Sequence, residues 1–138
     1  MSRIVVDTDI AAYIFNWHSS AQRWVDDLRD SELILAFPSI AEMRMRAMAE
    51  GWGVRRRNLL EHFMRGFGAA YADDALCTSW GALRARARSA GRSLSPQDAW
   101  IAATALRLDA PLATNNRSGF EHIQRLRLLP PQAYSAKA

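Results

Sequence analysis

The chain has 138 residues, 49% of them hydrophobic, and a net charge of +4, enough for one compact core and too little for two ordinary domains. No run approaches the roughly 18 consecutive apolar residues of a membrane span, and an acid at position 7 comes too soon for a secretory signal, so a soluble cytoplasmic protein without membrane association is expected. Cys77 is the only cysteine, which excludes an internal disulfide framework or thiolate zinc site and points to a buried structural thiol. Of the eighteen basic residues only Lys137 is a lysine. Arginine carries the positive charge, and its planar fork suits phosphate, although a solvated surface is the simpler alternative.

Residues 4–6 form an apolar β-branched run ending at Asp7, the pattern of a buried parallel strand that presents an acid at its carboxyl end. Asp9 can cap a helix over residues 10–15. Ala21, Trp24, Val25 and Leu28 then share one face of an amphipathic helix running from Ser19 or Ser20 to Arg29. Residues 32–37 read as the next strand, stopped by Pro38. Helices over 39–50 and 54–64, separated by Gly51, Trp52 and Gly53, make a helical hairpin.

A weak strand at 69–72 and a helix over 74–90 follow, then a loop leading to Ser95 and a helix over 99–108 that is apolar nearly all round and therefore central. Residues 110–113 look like the last inner strand, 115–119 a loop, 120–124 a short helical turn and 127–129 an edge strand, with the final residues expected to fray. Strands alternating with helices predict an α/β sandwich around a mostly parallel sheet, in a single domain.

Three acids stand at corresponding places in this pattern: Asp7 after the first strand, Glu42 three residues after Ser39, and Asp98 three residues after Ser95. Each has a purely structural alternative. Asp7 can cap the next helix, Glu42 has capping-box spacing, and Asp98 can be a first-turn acid behind Pro96. Capping does not explain why all three fall at the edge where an open parallel sheet binds ligands. Carboxylates gathered there repel one another unless a cation lies between them, and oxygen-only ligands favour Mg2+ or Mn2+. His18, His62 and His122 are too widely spaced for a ligand pattern and are read as surface or packing residues. The five tryptophans are read as core or interface. There is no Gly-rich phosphate loop and no Gly-x-Ser-x-Gly elbow.

The ordered set Val-Asp-Thr-Asp near the start, Pro-Ser-Ile-Ala-Glu around position 40, Ser-Pro-Gln-Asp-Ala-Trp-Ile-Ala-Ala-Thr-Ala around position 98 and Leu-Ala-Thr-Asn-Asn-Arg-Ser-Gly-Phe from position 112 resembles the PIN-domain ribonucleases, and more narrowly the VapC toxins of type II toxin-antitoxin modules. The resemblance implies a three-layer α/β/α sandwich, Mg2+- or Mn2+-dependent RNA cleavage and a cognate VapB-type antitoxin. It also implies a homodimer, assembling with antitoxin into a heterotetramer or larger complex. On that pattern Asp7 and Asp98 are the principal metal ligands, Glu42 holds the ion directly or through water, and Thr114 and Asn116 close the site. The chain departs from it in having no acid at Asn116 or Gly119, which puts a tightly bound second metal in doubt.

A metal-activated water would leave 5′-phosphate and 3′-hydroxyl ends. Arg44, Arg46, Arg55, Arg56, Arg57 and Arg117 are candidates for phosphate contact rather than base reading. The hairpin residues Met43, Met45, Met48, Trp52, Leu60, Phe63 and Met64 exceed what one helical face needs. Met-rich surfaces suit partner peptides, so the resemblance makes this the expected antitoxin groove, with core packing as the alternative. A phosphatase built on Asp7 and Asp9 would require a phosphate-facing lysine, and Lys137 in the tail is the only one. A non-catalytic binding module is the other rival.

Overall fold

The computed structural model describes residues 2–19 and 21–130. Along them run β1 (Arg3–Val6), α1 (Thr8–Phe15), α2 (Ala21–Leu28), β2 (Glu32–Ala36), α3 (Phe37–Ala49), α4 (Val54–Arg65), β3 (Gly68–Ala70), α5 (Asp74–Ser89), α6 (Pro96–Arg107), β4 (Leu112–Ala113), α7 (Arg117–Phe120) and β5 (Leu128–Leu129). The expected frayed tail and Ser20, one of the two starts considered for α2, lie outside the described residues. No helix among the described residues is long and apolar enough to cross a membrane.

The strands pair in parallel in the order β3-β2-β1-β4-β5. Side chains alternate along each strand and so feed two cores. Val5, Ile34 and Leu112 pack with Leu83 of α5 and Ile101 of α6, whereas Ile4, Val6, Leu35 and Ala113 pack with Ile10, Trp24, Met43 and Leu60 from α1 to α4. The result is the expected three-layer α/β/α sandwich. Register sets Val6 beside Ala113, so Asp7 leaves β1 next to Thr114 leaving β4. The strand order reverses at β1, and the crevice outside the carboxyl ends at such a reversal is where open parallel sheets bind ligands.

Several local expectations are corrected. Pro38 does not stop β2; it is the second residue of α3, which starts at Phe37 with Ala36 as a cap that lends no side-chain bond. Proline suits a first turn because no amide hydrogen is needed there. Ser39 is therefore an internal, fully buried residue whose Oγ accepts a 2.8 Å bond from the Thr8 hydroxyl, and the capping-box account of Glu42 fails. Asp7, not Asp9, caps α1. Residues 117–120, read as loop and the start of a turn, form α7. Cys77 is exposed, because Leu76, Leu83 and Ala87 occupy the inward face of α5 and the neighbour of Leu76 is turned about 100° away.

Gly51, at φ +67°, turns the chain out of α3, a left-handed conformation without penalty for glycine. In the α3–α4 hairpin that follows, Met43, Leu60 and Met64 are buried while Met45, Met48, Val54 and Leu59 are exposed. Phe15 joins α1 to this hairpin through ring contacts with Trp52 and Phe63, at 5.8 Å and 5.3 Å between centroids.

Candidate active site at the carboxyl edge of the sheet

Asp7 is fixed from three directions. Its backbone N–H donates to the Ala113 carbonyl at 2.9 Å, its Oδ1 accepts from the Thr8 N–H at 2.8 Å, and its Oδ2 accepts from the Thr114 hydroxyl at 2.6 Å. The Thr114 Oγ1 itself accepts from the Asn116 N–H at 2.9 Å. With that donor assigned, the single hydroxyl proton of Thr114 points at Asp7. Burial raises the Asp7 carboxyl above its ordinary range; the bonds from Thr114 and Thr8 oppose the rise, and the charges of Asp98 and Asp9 add to it.

Asp98 lies in the first turn of α6, where Ser95 caps the helix by accepting from the Asp98 N–H at 3.0 Å and Pro96 takes the first position. Its carboxyl is likewise raised, by burial first, then by Glu42 and Asp9, against a bond with Ser95. Two α5 side chains hold the segment that enters α6. Trp80 Nε1 donates to the Pro96 carbonyl at 3.0 Å and Arg84 to the Leu94 carbonyl at 2.9 Å, with Trp80 stacked on Trp100 at 4.9 Å.

Glu42, half-buried on α3, takes part in no cap. Its Oε2 lies 3.3 Å from Nη2 of Arg46, the same nitrogen that lies 3.1 Å from Oδ1 of Asp9. Asp9 thus belongs to the acidic group as a fourth carboxylate, whereas sequence reasoning assigned it a capping role and a place in the rejected phosphatase alternative. The Asp7-Thr8-Asp9 spacing at a strand end was the available signal. Asn116 sits at the rim, its side chain folded over its own helix. A Cβ on Gly119 would come within 2.5 Å of Asn116 Nδ2, and the contact Asn116 makes to the acidic group is its backbone bond to Thr114.

The donor set fits a hard divalent ion: oxygen ligands only, two of them raised above their ordinary range by burial first and by neighbouring acids after it. Among the described residues no three carboxylates, imidazoles or thiols stand close enough to hold an ion in their present positions. Glu42 is engaged with Arg46 and acts electrostatically on Asp98.

The candidate phosphate-binding arginines divide into two groups. Arg44 makes a bidentate pair with Glu61, at 3.0 Å and 2.7 Å, which raises the Arg44 pKa and lowers that of Glu61. Arg46 is engaged with Asp9 and Glu42, and Arg56 donates to Asn16 at 2.8 Å with its guanidinium 3.7 Å from the Trp52 ring centroid. Arg117 donates to the Pro130 carbonyl at 2.9 Å. Arg55 and Arg57 are exposed at the start of α4. His18 stacks on Tyr13, and His122 carries a buried Nε2 without a hydrogen-bond partner among the described residues. Trp24 is core, but Trp17 is 70% exposed.

A family model described as PIN domain matches residues 4–126. Ribonuclease VapC1 of Haemophilus influenzae is 26% identical over 124 residues, covering 88% of this chain and 92% of that protein. Among solved structures, that of VapBC2 from Rickettsia felis bound to a promoter DNA fragment superposes with a TM-score of 0.80 at 22% identity, over 91% of this chain and 96% of the other, a likeness of fold. That of VapBC-1 from nontypeable Haemophilus influenzae superposes with a TM-score of 0.75 at 26% identity, with the same coverage.

Proposed function

The chain belongs to the PIN-domain family, and from that premise we propose that it is a divalent-metal-dependent endoribonuclease, the toxin of a VapBC-type toxin-antitoxin module. The observation that carries this reading is the pair Asp7 and Asp98. They come from different elements at one sheet edge, and burial together with neighbouring acids drives both above their ordinary range. Burying mutually repelling carboxylates costs stability that a bound cation restores.

Mg2+ or Mn2+ held by Asp7, Asp98 and Glu42 would activate water and neutralise charge building on the scissile phosphate. The chain's own residues supply the geometry. Thr114 orients Asp7 by donating to Oδ2, and Ser95, Trp80 and Arg84 hold the start of α6 and with it Asp98. Arg55, Arg57 and Arg117 contribute phosphate contacts along the RNA backbone, setting affinity and salt dependence. We assign attack to water that such a divalent ion would activate, leaving 5′-phosphate and 3′-hydroxyl ends.

The relatives solved as VapBC complexes support a VapB-type antitoxin partner, and we place the pair in the cytoplasm. We assign its docking arm to the exposed Met45, Met48, Val54 and Leu59 of the hairpin. A homodimer that joins antitoxin in a heterotetramer or larger assembly completes the reading.

The test is cleavage of an RNA pool by antitoxin-free protein in Mg2+, Mn2+ or EDTA, with Asp7→Asn, Asp98→Asn and mapping of product ends. Cleavage that persists in EDTA and in both variants would sink the metal mechanism. RNA binding without turnover would instead assign a binding module, a second reading favoured by the engagement of Glu42 with Arg46.

A further inference from the structure

Arg46 differs from the other arginines near the crevice in what it touches. A single nitrogen, Nη2, bridges Asp9 Oδ1 at 3.1 Å and Glu42 Oε2 at 3.3 Å, and both of these acids act electrostatically on Asp98. Arg44, two residues away on the same helix, is turned to α4 and closes a separate pair with Glu61. The geometry points to Arg46 as the resident counter-cation of the acidic crevice: we infer that it competes with a divalent ion for Glu42 and thereby sets the metal affinity of this protein. The inference rests on reading Asp7, Asp98 and Glu42 as the metal site.

Three physical facts support the competition. Glu42 holds an ion less strongly while the guanidinium engages its Oε2, because the two cations are then brought close around one carboxylate. Glu42 and Arg46 are spaced i,i+4 with the acid nearer the helix start, the favourable orientation, so the pair reforms readily when the ion leaves. The Arg46 side chain is 38% exposed and that of Asp9 58%, so the clamp is a weak, solvent-screened one that a divalent ion can open. In the metal-free protein Arg46 offsets repulsion among Asp9, Glu42 and Asp98. In the metal-loaded protein it is released from Glu42.

The experiment is Mn2+ titration of the full chain by calorimetry, with melting curves recorded without and with Mn2+, on wild type, Arg46→Gln, Arg46→Lys, Arg44→Gln and Asp98→Asn. Arg46→Gln should tighten Mn2+ binding roughly five- to tenfold, as expected for removing one nearby charge and one ion pair. It should also melt earlier than wild type without metal and gain more on Mn2+ addition. Arg46→Lys should fall between the two. Arg44→Gln removes the same charge outside the clamp and should change the affinity less than about twofold.

If wild type binds Mn2+, Asp98→Asn does not, and Arg46→Gln matches wild type, the counter-cation role is overturned while the metal site stands. Equal tightening by Arg44→Gln and Arg46→Gln also overturns it, since charge alone would then suffice. If neither wild type nor Arg46→Gln binds Mn2+, the metal-site reading fails and the inference goes with it.

Discussion

The crevice beyond β1 and β4 and the hairpin of α3 and α4 depart in opposite directions from what stability alone would choose. In the crevice, carboxylates are partly withdrawn from water and set near one another, and Asp7 and Asp98 titrate high as a result. In the hairpin, apolar side chains that could be buried are left in water, with Met48 69% and Val54 63% exposed. One region carries surplus charge that a bound cation would relieve; the other carries surplus apolar surface that a docked partner would cover. Their supports differ in the same sense. Directed hydrogen bonds through Thr114, Thr8 and Ser95 fix the acids, whereas contacts among Phe15, Trp52 and Phe63 brace the hairpin.

The largest effect expected is that of Asp98→Asn. Loss of one member of the electrostatic site should lower cleavage by about 100-fold or more, and the same change should stabilise the metal-free protein at neutral pH. A carboxyl raised in the folded state contributes stability that is fully present below its ordinary value of 3.8 and is lost as pH rises through the folded value. Denaturant melts of metal-free protein should therefore show the advantage of the variant growing as pH rises above 3.8. An advantage independent of pH would break the comparison.

On the hairpin side, Leu60→Ala should cost about 2–5 kcal/mol in urea unfolding, since a side chain with 2% exposure leaves a cavity. The double change Met48→Ser and Leu59→Ser should cost no more than about 0.5 kcal/mol per site, yet weaken capture of a VapB-type arm by about 1 kcal/mol or more. An unchanged affinity would mean that the exposed stripe serves something else.

Thr114→Val should cost about 1–3 kcal/mol by leaving the Asn116 N–H without its acceptor, and should slow cleavage by freeing Asp7. Retained cleavage rates would show that Asp7 needs no such support. The smallest effect on cleavage is that of Gly119→Ala. Its Cβ meets the far end of the flexible Asn116 side chain, so a rotamer change costing about 0.5–1.5 kcal/mol resolves the clash. Cleavage should stay near the wild-type rate; a large loss would give the Asn116 amide a part in the chemistry.

Much of the fold was legible because local pattern and final packing agree. The β-branched run at positions 4–6 became β1, and Ser95 with Pro96 opened α6 as a cap and first-turn pair should. Pro38 was misread because one residue fits two local roles, ending a strand or occupying a helical first turn, and only the packing of Ser39 against Thr8 distinguishes them. The partners of the arginines were not legible at all. Arg46 meets Asp9 across 37 positions and Arg56 meets Asn16 across 40, and no periodicity encodes such pairs. The joint position of Asp7 and Asp98 could be expected from the rule that ligands gather at strand carboxyl ends, but Asp9 could not be told from a helix cap until Asp7 was seen to fill that role.

The two outermost strands are short, three residues in β3 and two in β5, and Pro130, directly after β5, brings no amide hydrogen. Little unpaired backbone is therefore offered along either rim, and extension of the sheet from one molecule into the next is disfavoured. Among the described residues the rims thus offer little for the strand-to-strand templating that drives fibrous aggregation, and the helix surfaces are left as the broader faces for contact between molecules.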